Sequence, residues 1–195
     1  MKKKLFAVAL LSAIAAPACA EDDSGLYLVG VLGRTGNIKN AEDSPSFGGL
    51  VGYQFNSVFS VEGGMTSLVE KAKYKVPPPG YLGAGTYTST SMAGSELAAI
   101  VGLPMTEDFS VLIRLGYASM ERSNAPSPAE VETNWKGSSY GLGAQYMLPY
   151  EFGRRGGNGL KIGLRAGYSK YNLKDPTGLQ TEAPTNTYVG GVIQF

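Results

Sequence analysis

The side chains that most hydrolases and metalloenzymes use for chemistry are scarce in this sequence. The chain contains no histidine and a single cysteine, Cys19. Serine without histidine lacks its usual general base, and the chain offers no spaced aspartate cluster that would hold a metal instead. A serine–lysine or paired-carboxylate enzyme is left open, but no group of residues argues for one. The sequence therefore predicts no enzyme, no metal site and no cofactor.

Four charged residues interrupt segments that are otherwise rich in glycine and apolar residues: Glu62, Glu96, Arg114 and Arg165. Each sits on the more polar face of an alternating segment, at a similar distance from a predicted short turn. The four side chains should therefore lie at similar depth within one structure. Two acids and two arginines in a confined interior should form ion pairs, because an unpaired buried charge is costly.

Eight segments alternate between two faces, which is the pattern of β-strands. Their lengths of about ten residues match what a strand needs to cross a bilayer at a tilt. The first has two apolar faces, so the pattern does not assign its direction. The segments are Gly25 to Gly33, Phe47 to Phe55, Val58 to Glu70, Ser91 to Leu103, Phe109 to Ala118, Tyr140 to Leu148, Leu160 to Ser169 and Thr187 to Phe195.

The connections between these segments alternate in length. The shorter ones are Asn56-Ser57, Met105 to Asp108 and Pro149 to Gly159, and the longer ones are Arg34 to Ser46, Lys71 to Thr90, Glu121 to Ser138 and Asn172 to Asn186. Short turns on one side and long loops on the other are typical of transmembrane β-barrels, with the long loops outside the cell.

The first 20 residues have the order of a secretory signal peptide. Lys2 to Lys4 precede an apolar run from Leu5 to Ala16, and the small-residue motif Ala18-Cys19-Ala20 follows. The run is too short to span a bilayer, so we predict cleavage after Ala20, with residues 21–195 as the mature domain. The alternative is a lipoprotein that begins at Cys19, although the site matches a lipobox only at Ala18. Nothing in the composition indicates a nucleic-acid partner.

The last segment, Thr187 to Phe195, ends on an aromatic residue after alternating apolar positions. Together with the opening G-L-Y-L-V-G from Gly25, L-G-Y-A at Leu115 and R-A-G-Y at Arg165, it resembles the small eight-stranded outer-membrane barrels: the OmpA transmembrane domain, OmpX and the opacity-type proteins. For the last segment alone, an ordinary edge strand that happens to end on Phe195 is the alternative.

This resemblance implies an all-β, eight-stranded, antiparallel up-and-down transmembrane β-barrel, integral to the outer membrane of a Gram-negative cell. Phe195 would be the C-terminal assembly signal, read by the barrel assembly machinery. Outer-membrane lipids and lipopolysaccharide would surround the barrel. Its role would be structural and adhesin-like, with extracellular loops that contact host-surface or serum proteins. The alternative is a narrow porin-like channel for ions or small solutes, gated by the interior ion pairs.

Two interpretations of the interior charges stay open, a gate and a permanent plug that fixes strand register, and the plug is the simpler. A soluble lipocalin-like barrel is a rival architecture. It would need an apolar inside, whereas here the faces that carry Glu62, Arg114 and Arg165 are the polar ones, and the apolar faces would be left in water.

The loop predicted between Lys71 and Thr90 holds the candidate loop contact surface, formed by Tyr81, Leu82 and Tyr87. Exposed tyrosine on a flexible backbone is typical of adaptable recognition surfaces, and a solvated loop without a partner is the alternative. Aromatic residues near the predicted strand ends should form girdles at the two membrane interfaces. They are Tyr53, Phe55, Phe59, Phe109, Tyr117, Trp135, Tyr140, Tyr146 and Tyr168.

Overall fold

A computed structural model describes residues 24–38, 41–72, 89–125, 133–152 and 159–195. These residues form eight long strands and one two-residue strand. No helix long and apolar enough to cross a membrane occurs among them. The strands are β1 Gly25–Gly36, β2 Ser44–Gln54, β3 Phe59–Ala72, β4 Ser89–Pro104, β5 Phe109–Ala125, β6 Thr133–Phe152, β7 Leu160–Lys174, β8 Thr181–Glu182 and β9 Thr185–Gln194.

The long strands close into a barrel. Each pairs antiparallel with its neighbour from β1 to β7, and β9 pairs with both β7 and β1. The two-residue β8 pairs only with β7, at the end of the barrel that carries the long connections. We call this the outer end. Closure leaves no unpaired sheet edge in the membrane. The predicted all-β, eight-stranded antiparallel up-and-down barrel is therefore confirmed.

Side chains alternate between the lumen and the outer surface along the strands, except where the register shifts in β3 and β6. Met65 and Leu142 point outward and are 71% and 63% exposed, whereas Ile100 and Val192 point inward and are buried. The first strand, whose direction the pattern left open, turns Tyr27 and its inward neighbours into the lumen and its leucines outward. The outer surface is thus an apolar band, which suits a lipid environment.

The strands extend further toward the long connections than the sequence predicted. β5 continues to Ala125 and β6 begins at Thr133, although Glu121 to Ser138 was predicted as a loop. The prediction for this loop was wrong at both ends because the outward residues there become polar, which ends the apolar pattern but leaves the ladder of backbone hydrogen bonds intact. The apolar pattern marks where the lipid ends, and the strand continues beyond it.

Local side chains define the short turns at the opposite end, which the sequence predicts to lie in the periplasm. Asn56 Oδ1 accepts hydrogen bonds from the amides of Val58 and Phe59 at 2.9 and 2.8 Å. Thr106 Oγ1 accepts one from Phe109 N at 3.1 Å. Asn and Thr stabilise tight turns in this way. The third predicted turn begins later than expected, because β6 continues to Phe152 through a register shift.

Candidate functional site

The four charges predicted to pair all lie buried in the lumen. Arg165 Nη1 donates to Glu62 Oε1, and Arg114 Nη1 donates to Glu96 Oε1. Arg114 also approaches Glu62, with 3.7 Å between its Nε and Oε2. The result is a continuous chain of alternating charge, which we call the ion-pair layer: Glu96, Arg114, Glu62 and Arg165.

Neutral donors and acceptors add hydrogen bonds to the ion-pair layer, although Glu62 Oε2 and Arg114 Nη2 have none. Tyr27 donates its hydroxyl to Glu62 Oε1 at 2.8 Å. Ser139 and Tyr171 donate to the two oxygens of Glu96 at 2.6 and 3.2 Å. Gln145 Oε1 accepts from Nε and Nη2 of Arg165, at 3.0 and 2.7 Å. These contacts offset part of the desolvation cost of the buried charges.

A glycine allows Tyr27 to reach the ion-pair layer. Gly52 lies between Tyr27 and Glu62 in the strand register, because it pairs with both. A Cβ on Gly52 would overlap the Tyr27 ring. The ring therefore lies directly over the backbone of β2, and its hydroxyl reaches the carboxylate two strands away. The Arg165 guanidinium lies 5.7 Å from the same ring, a cation–π distance.

An apolar cluster fills the lumen on the outer side of the ion-pair layer. A bulge in β3 buries both Leu68 and Val69, which straight alternation would place on opposite faces. Trp135 belongs to this cluster and is buried, so its predicted place in a membrane girdle was wrong: the part of β6 beyond the lipid turns it into the lumen. We call the set the outer cluster: Ile38, Ala41, Leu68, Val69, Ala72, Met92, Ala118, Met120, Trp135, Tyr171 and Leu173.

A second buried ion pair lies at the outer end. Arg122 Nη1 donates to Glu182 Oε1, and Arg122 Nε donates to Thr90 Oγ1 at 3.1 Å. The Arg122 guanidinium lies 5.8 Å from the Trp135 ring centroid. The sequence did not predict this pair, because Arg122 and Glu182 fell in two segments predicted as loops. Only the inward parity of β5, continued past Ala118, would have indicated Arg122.

The segment 181–184 lies across this outer end. Its two-residue strand pairs with Leu173 and Lys174, and Pro184 O accepts a hydrogen bond from Tyr171 N at 3.0 Å. Asn37 Nδ2 donates to Ala183 O at 2.8 Å. Glu182 meanwhile reaches β5. The segment thus joins β7, β5 and the end of β1.

A compact turn precedes this segment on the extracellular side. Asp175 Oδ1 accepts a hydrogen bond from Gln180 N at 3.0 Å, and Gly178 adopts a φ of 72°. The Thr177 hydroxyl donates to the Asp175 carboxylate and lowers the pKa of that carboxyl below its ordinary value. Leu179 at the tip is 88% exposed. The turn therefore presents an apolar side chain on a hydrogen-bonded frame.

The periplasmic end of the lumen is open, in contrast. A vestibule of about 550 Å³ is lined by Gln54, Lys161 and Gln194 among others. A smaller cavity of about 50 Å³ shares Gln54 and Gln194 with it and reaches Tyr27 and Arg165. Access from the periplasm therefore extends to the lower face of the ion-pair layer.

The remaining predicted residues divide into two groups. Phe195 continues β9: its amide donates to Leu26 O at 2.9 Å, and its side chain faces outward. The loop residues Tyr81, Leu82 and Tyr87 and the signal peptide, residues 1–20, lie outside the described part of the chain. Among the described residues, no group of three histidine, cysteine or acidic side chains could hold a metal ion.

An apolar outer surface, a paired and packed lumen and polar ends define a membrane-spanning β-barrel that is closed within the residues described. The chain belongs to the outer membrane protein beta-barrel domain family, whose profile matches residues 6–195. It is thus an integral protein of the Gram-negative outer membrane. A search of curated proteins finds no match.

Solved structures of other small outer-membrane barrels share the fold. Neisserial surface protein A superimposes with a TM-score of 0.56 at 11% identity, over 88% of this chain and 96% of its own. The N-terminal barrel of OprF from Pseudomonas aeruginosa gives 0.55 at 10%, over 89% and 100%. Ail, the attachment invasion locus protein of Yersinia pestis, gives 0.53 at 14%, over 88% and 96%. None of the three is named as an enzyme.

Proposed function

We propose that this protein is a closed barrel with a structural and surface-interaction role, carried by its extracellular end. The observation that supports this most directly is the filled lumen. Two successive layers of buried side chains, the ion-pair layer and the outer cluster, occupy it above the periplasmic vestibule. An eight-stranded barrel has an interior that side chains can fill. Because the lumen is filled, we place the binding of protein partners at the extracellular surface.

We propose different partners for the last strand, for the lipid-facing band and for the extracellular loops. The barrel assembly machinery reads the last strand with Phe195 before insertion, after a signal peptidase has cut behind Ala20. Lipopolysaccharide and other outer-membrane lipids contact the apolar band. Host-surface or serum proteins contact the loops, among whose residues we place Tyr81, Leu82 and Tyr87. We propose no catalytic activity and no nucleic-acid partner.

Adhesion of whole cells tests the loop surface. Cells that express a Tyr81→Ser, Leu82→Ser, Tyr87→Ser variant should bind to immobilised host-cell surface proteins no better than cells without the barrel. The reason is that exposed tyrosine side chains supply large apolar contact area to protein partners, and serine removes that area. The measurement is the number of retained cells, at matched amounts of barrel in the outer membrane.

Leu179→Ser is the matched control, because it removes an exposed apolar residue from a different extracellular turn. Adhesion should persist in this control. If the triple variant adheres as well as the wild type, or if the wild type adheres no better than cells without the barrel, the loop assignment is wrong.

The alternative function, a narrow channel, is favoured by one observation: the vestibule that reaches Arg165 from the periplasm. We expect the wild-type barrel to be electrically silent in a planar bilayer. Arg114→Ala should be silent as well, because the outer cluster still fills the lumen above the deleted side chain. Single-molecule conductance of both proteins, with folding checked by circular dichroism, measures this.

Discrete openings that become larger in Arg114→Ala than in the wild type would contradict the closed barrel. They would make the ion-pair layer a gate rather than a plug. A porin added to the same bilayers shows that openings are detectable.

A further inference from the structure

A groove runs along the outer surface of the barrel over β1, β9, β7 and β6. Its lower part, of about 490 Å³, has a floor that includes Gly30 and Gly191 and walls that include Leu164 and Tyr146. No atom lies within 4 Å of where a Cβ on either glycine would be. The two glycines face each other across β1 and β9, so the floor is open over two strands. The lower part is therefore an apolar trough within the lipid-facing band.

The groove continues toward the extracellular side. Its upper part, of about 510 Å³, shares Leu32 and Val189 with the lower part. It adds the polar residues Arg34, Asp43, Thr185 and Thr187. Arg34 is the first charged residue outward of the leucines on β1, so it lies where the apolar band ends. One continuous groove thus has an apolar lower half and a rim that carries the Arg34–Asp43 ion pair and two threonine hydroxyls.

The rim carries a second cation. Lys170 pairs with Thr185 in the strand register, and Arg34 pairs with Thr187. Two strand spacings and two residues separate the cations, which places their Cα atoms roughly 12 Å apart. Among the described residues, Arg34 has one carboxylate partner: its Nε lies 3.5 Å from Asp43 Oδ2, and both side chains are exposed. Such an exposed pair contributes little, so it does not prevent Arg34 from binding another anion.

We infer that this groove binds one phosphorylated lipid of the outer leaflet, the lipid A portion of lipopolysaccharide. An acyl chain lies in the trough over Gly30 and Gly191, and a phosphate lies at the rim between Arg34 and Lys170, with the two threonine hydroxyls as further donors. Phosphate suits a guanidinium and an ammonium held by one rigid sheet. The inference deepens the proposed contact with lipopolysaccharide and rests on it, and it is independent of the adhesive loop.

Native mass spectrometry of the folded barrel in neutral detergent, titrated with lipid A and with its dephosphorylated form, tests the site. The wild type should bind one lipid A about tenfold more tightly than the dephosphorylated lipid. Gly191→Val fills the trough and should weaken binding of both lipids several-fold. The double variant Arg34→Gln, Lys170→Gln should lose the preference for phosphate and leave the dephosphorylated lipid bound as before.

Two matched controls distinguish binding in the groove from nonspecific binding of lipid to the barrel surface. Gly63→Val adds the same side chain at an outward glycine on β3 that does not line the groove and where a Cβ would make only ordinary van der Waals contacts. Lys136→Gln, Lys174→Gln removes two outward cations from the same end of the barrel, outside the groove. Both controls should bind lipid A as the wild type does.

Several results would overturn the inference. These are equal binding by the wild type and the two groove variants, equal losses in the controls, or no preference of the wild type for the phosphorylated lipid. A dimer that disappears in Gly191→Val while lipid A binding is unchanged would assign the groove to a second copy of the chain. Loss of cell adhesion in the loop variant would leave the inferred lipid A site intact, because the groove does not include the adhesive loop.

Discussion

Replacing Glu62 with glutamine is expected to destabilise the barrel by about 3–5 kcal/mol, because it leaves buried positive charge without its partner. Glu62 is fully buried and pairs with both Arg165 and Arg114. Arg114 retains Glu96 after the change. Among the residues described, Glu62 is the one carboxylate paired with Arg165, so the guanidinium of Arg165 would keep only neutral partners in a confined interior.

Reversible urea unfolding in lipid vesicles measures the effect. The control is Asp43→Asn, the same carboxylate-to-amide change in the exposed pair with Arg34, where a loss of at most about 1 kcal/mol is expected. Equal losses for the two variants would show that the ion-pair layer is hydrated, and the plug interpretation would then fail.

Truncating Leu173 to alanine should cost about 3–5 kcal/mol, since it removes a fully buried side chain from the outer cluster. The loss of stability has two parts. One is the favourable transfer free energy of removing the deleted carbons from water, and the other is the cost of the cavity that remains. Leu164→Ala, on the same strand, loses a side chain that is 64% exposed on the lipid-facing surface. Lipid chains fill the space there, so only the transfer part, about 2 kcal/mol, remains.

The difference in unfolding free energy between these two alanine variants therefore isolates the cavity in the outer cluster. It should be at least about 1 kcal/mol. A larger loss at Leu164 than at Leu173 would mean that the outer end of the lumen is loosely packed, which would also weaken the case for a silent barrel.

The sequence predicts the membrane-embedded half of this molecule well. Lipid selects apolar residues on one face of each strand, and the lumen accepts polar and charged residues on the other. Leu115 on the lipid side and Arg114 on the lumen side are neighbours, and the alternation separates them without further information. The same reasoning placed Glu62 and Arg165 inside the barrel, although the choice of partners depends on strand register and was not available from the sequence.

Beyond the lipid, the alternation of apolar and polar residues no longer predicts the strands, and the reason is physical. Outward residues there face water and become polar, so Trp135 and Arg122 no longer stand out as the inward members of an alternating pair. The bulge that buries Leu68 and Val69 together breaks the alternation as well. The contact of Glu182 with β5 depends on a segment that folds back across the barrel, and no local signal encodes such a contact.

The continuation of the strands past the lipid also sets how the loops are presented. On β5, Tyr117 is the last large outward apolar residue and the strand ends at Ala125, so at the tilt of such barrels its tip stands about 20 Å above the hydrocarbon. Because eight more residues of β5 already belong to the sheet, the proposed partner would not have to order them, and each ordered residue costs about 1–2 kcal/mol. In the proposed function, the barrel is therefore a rigid support that holds its contact loops above the membrane.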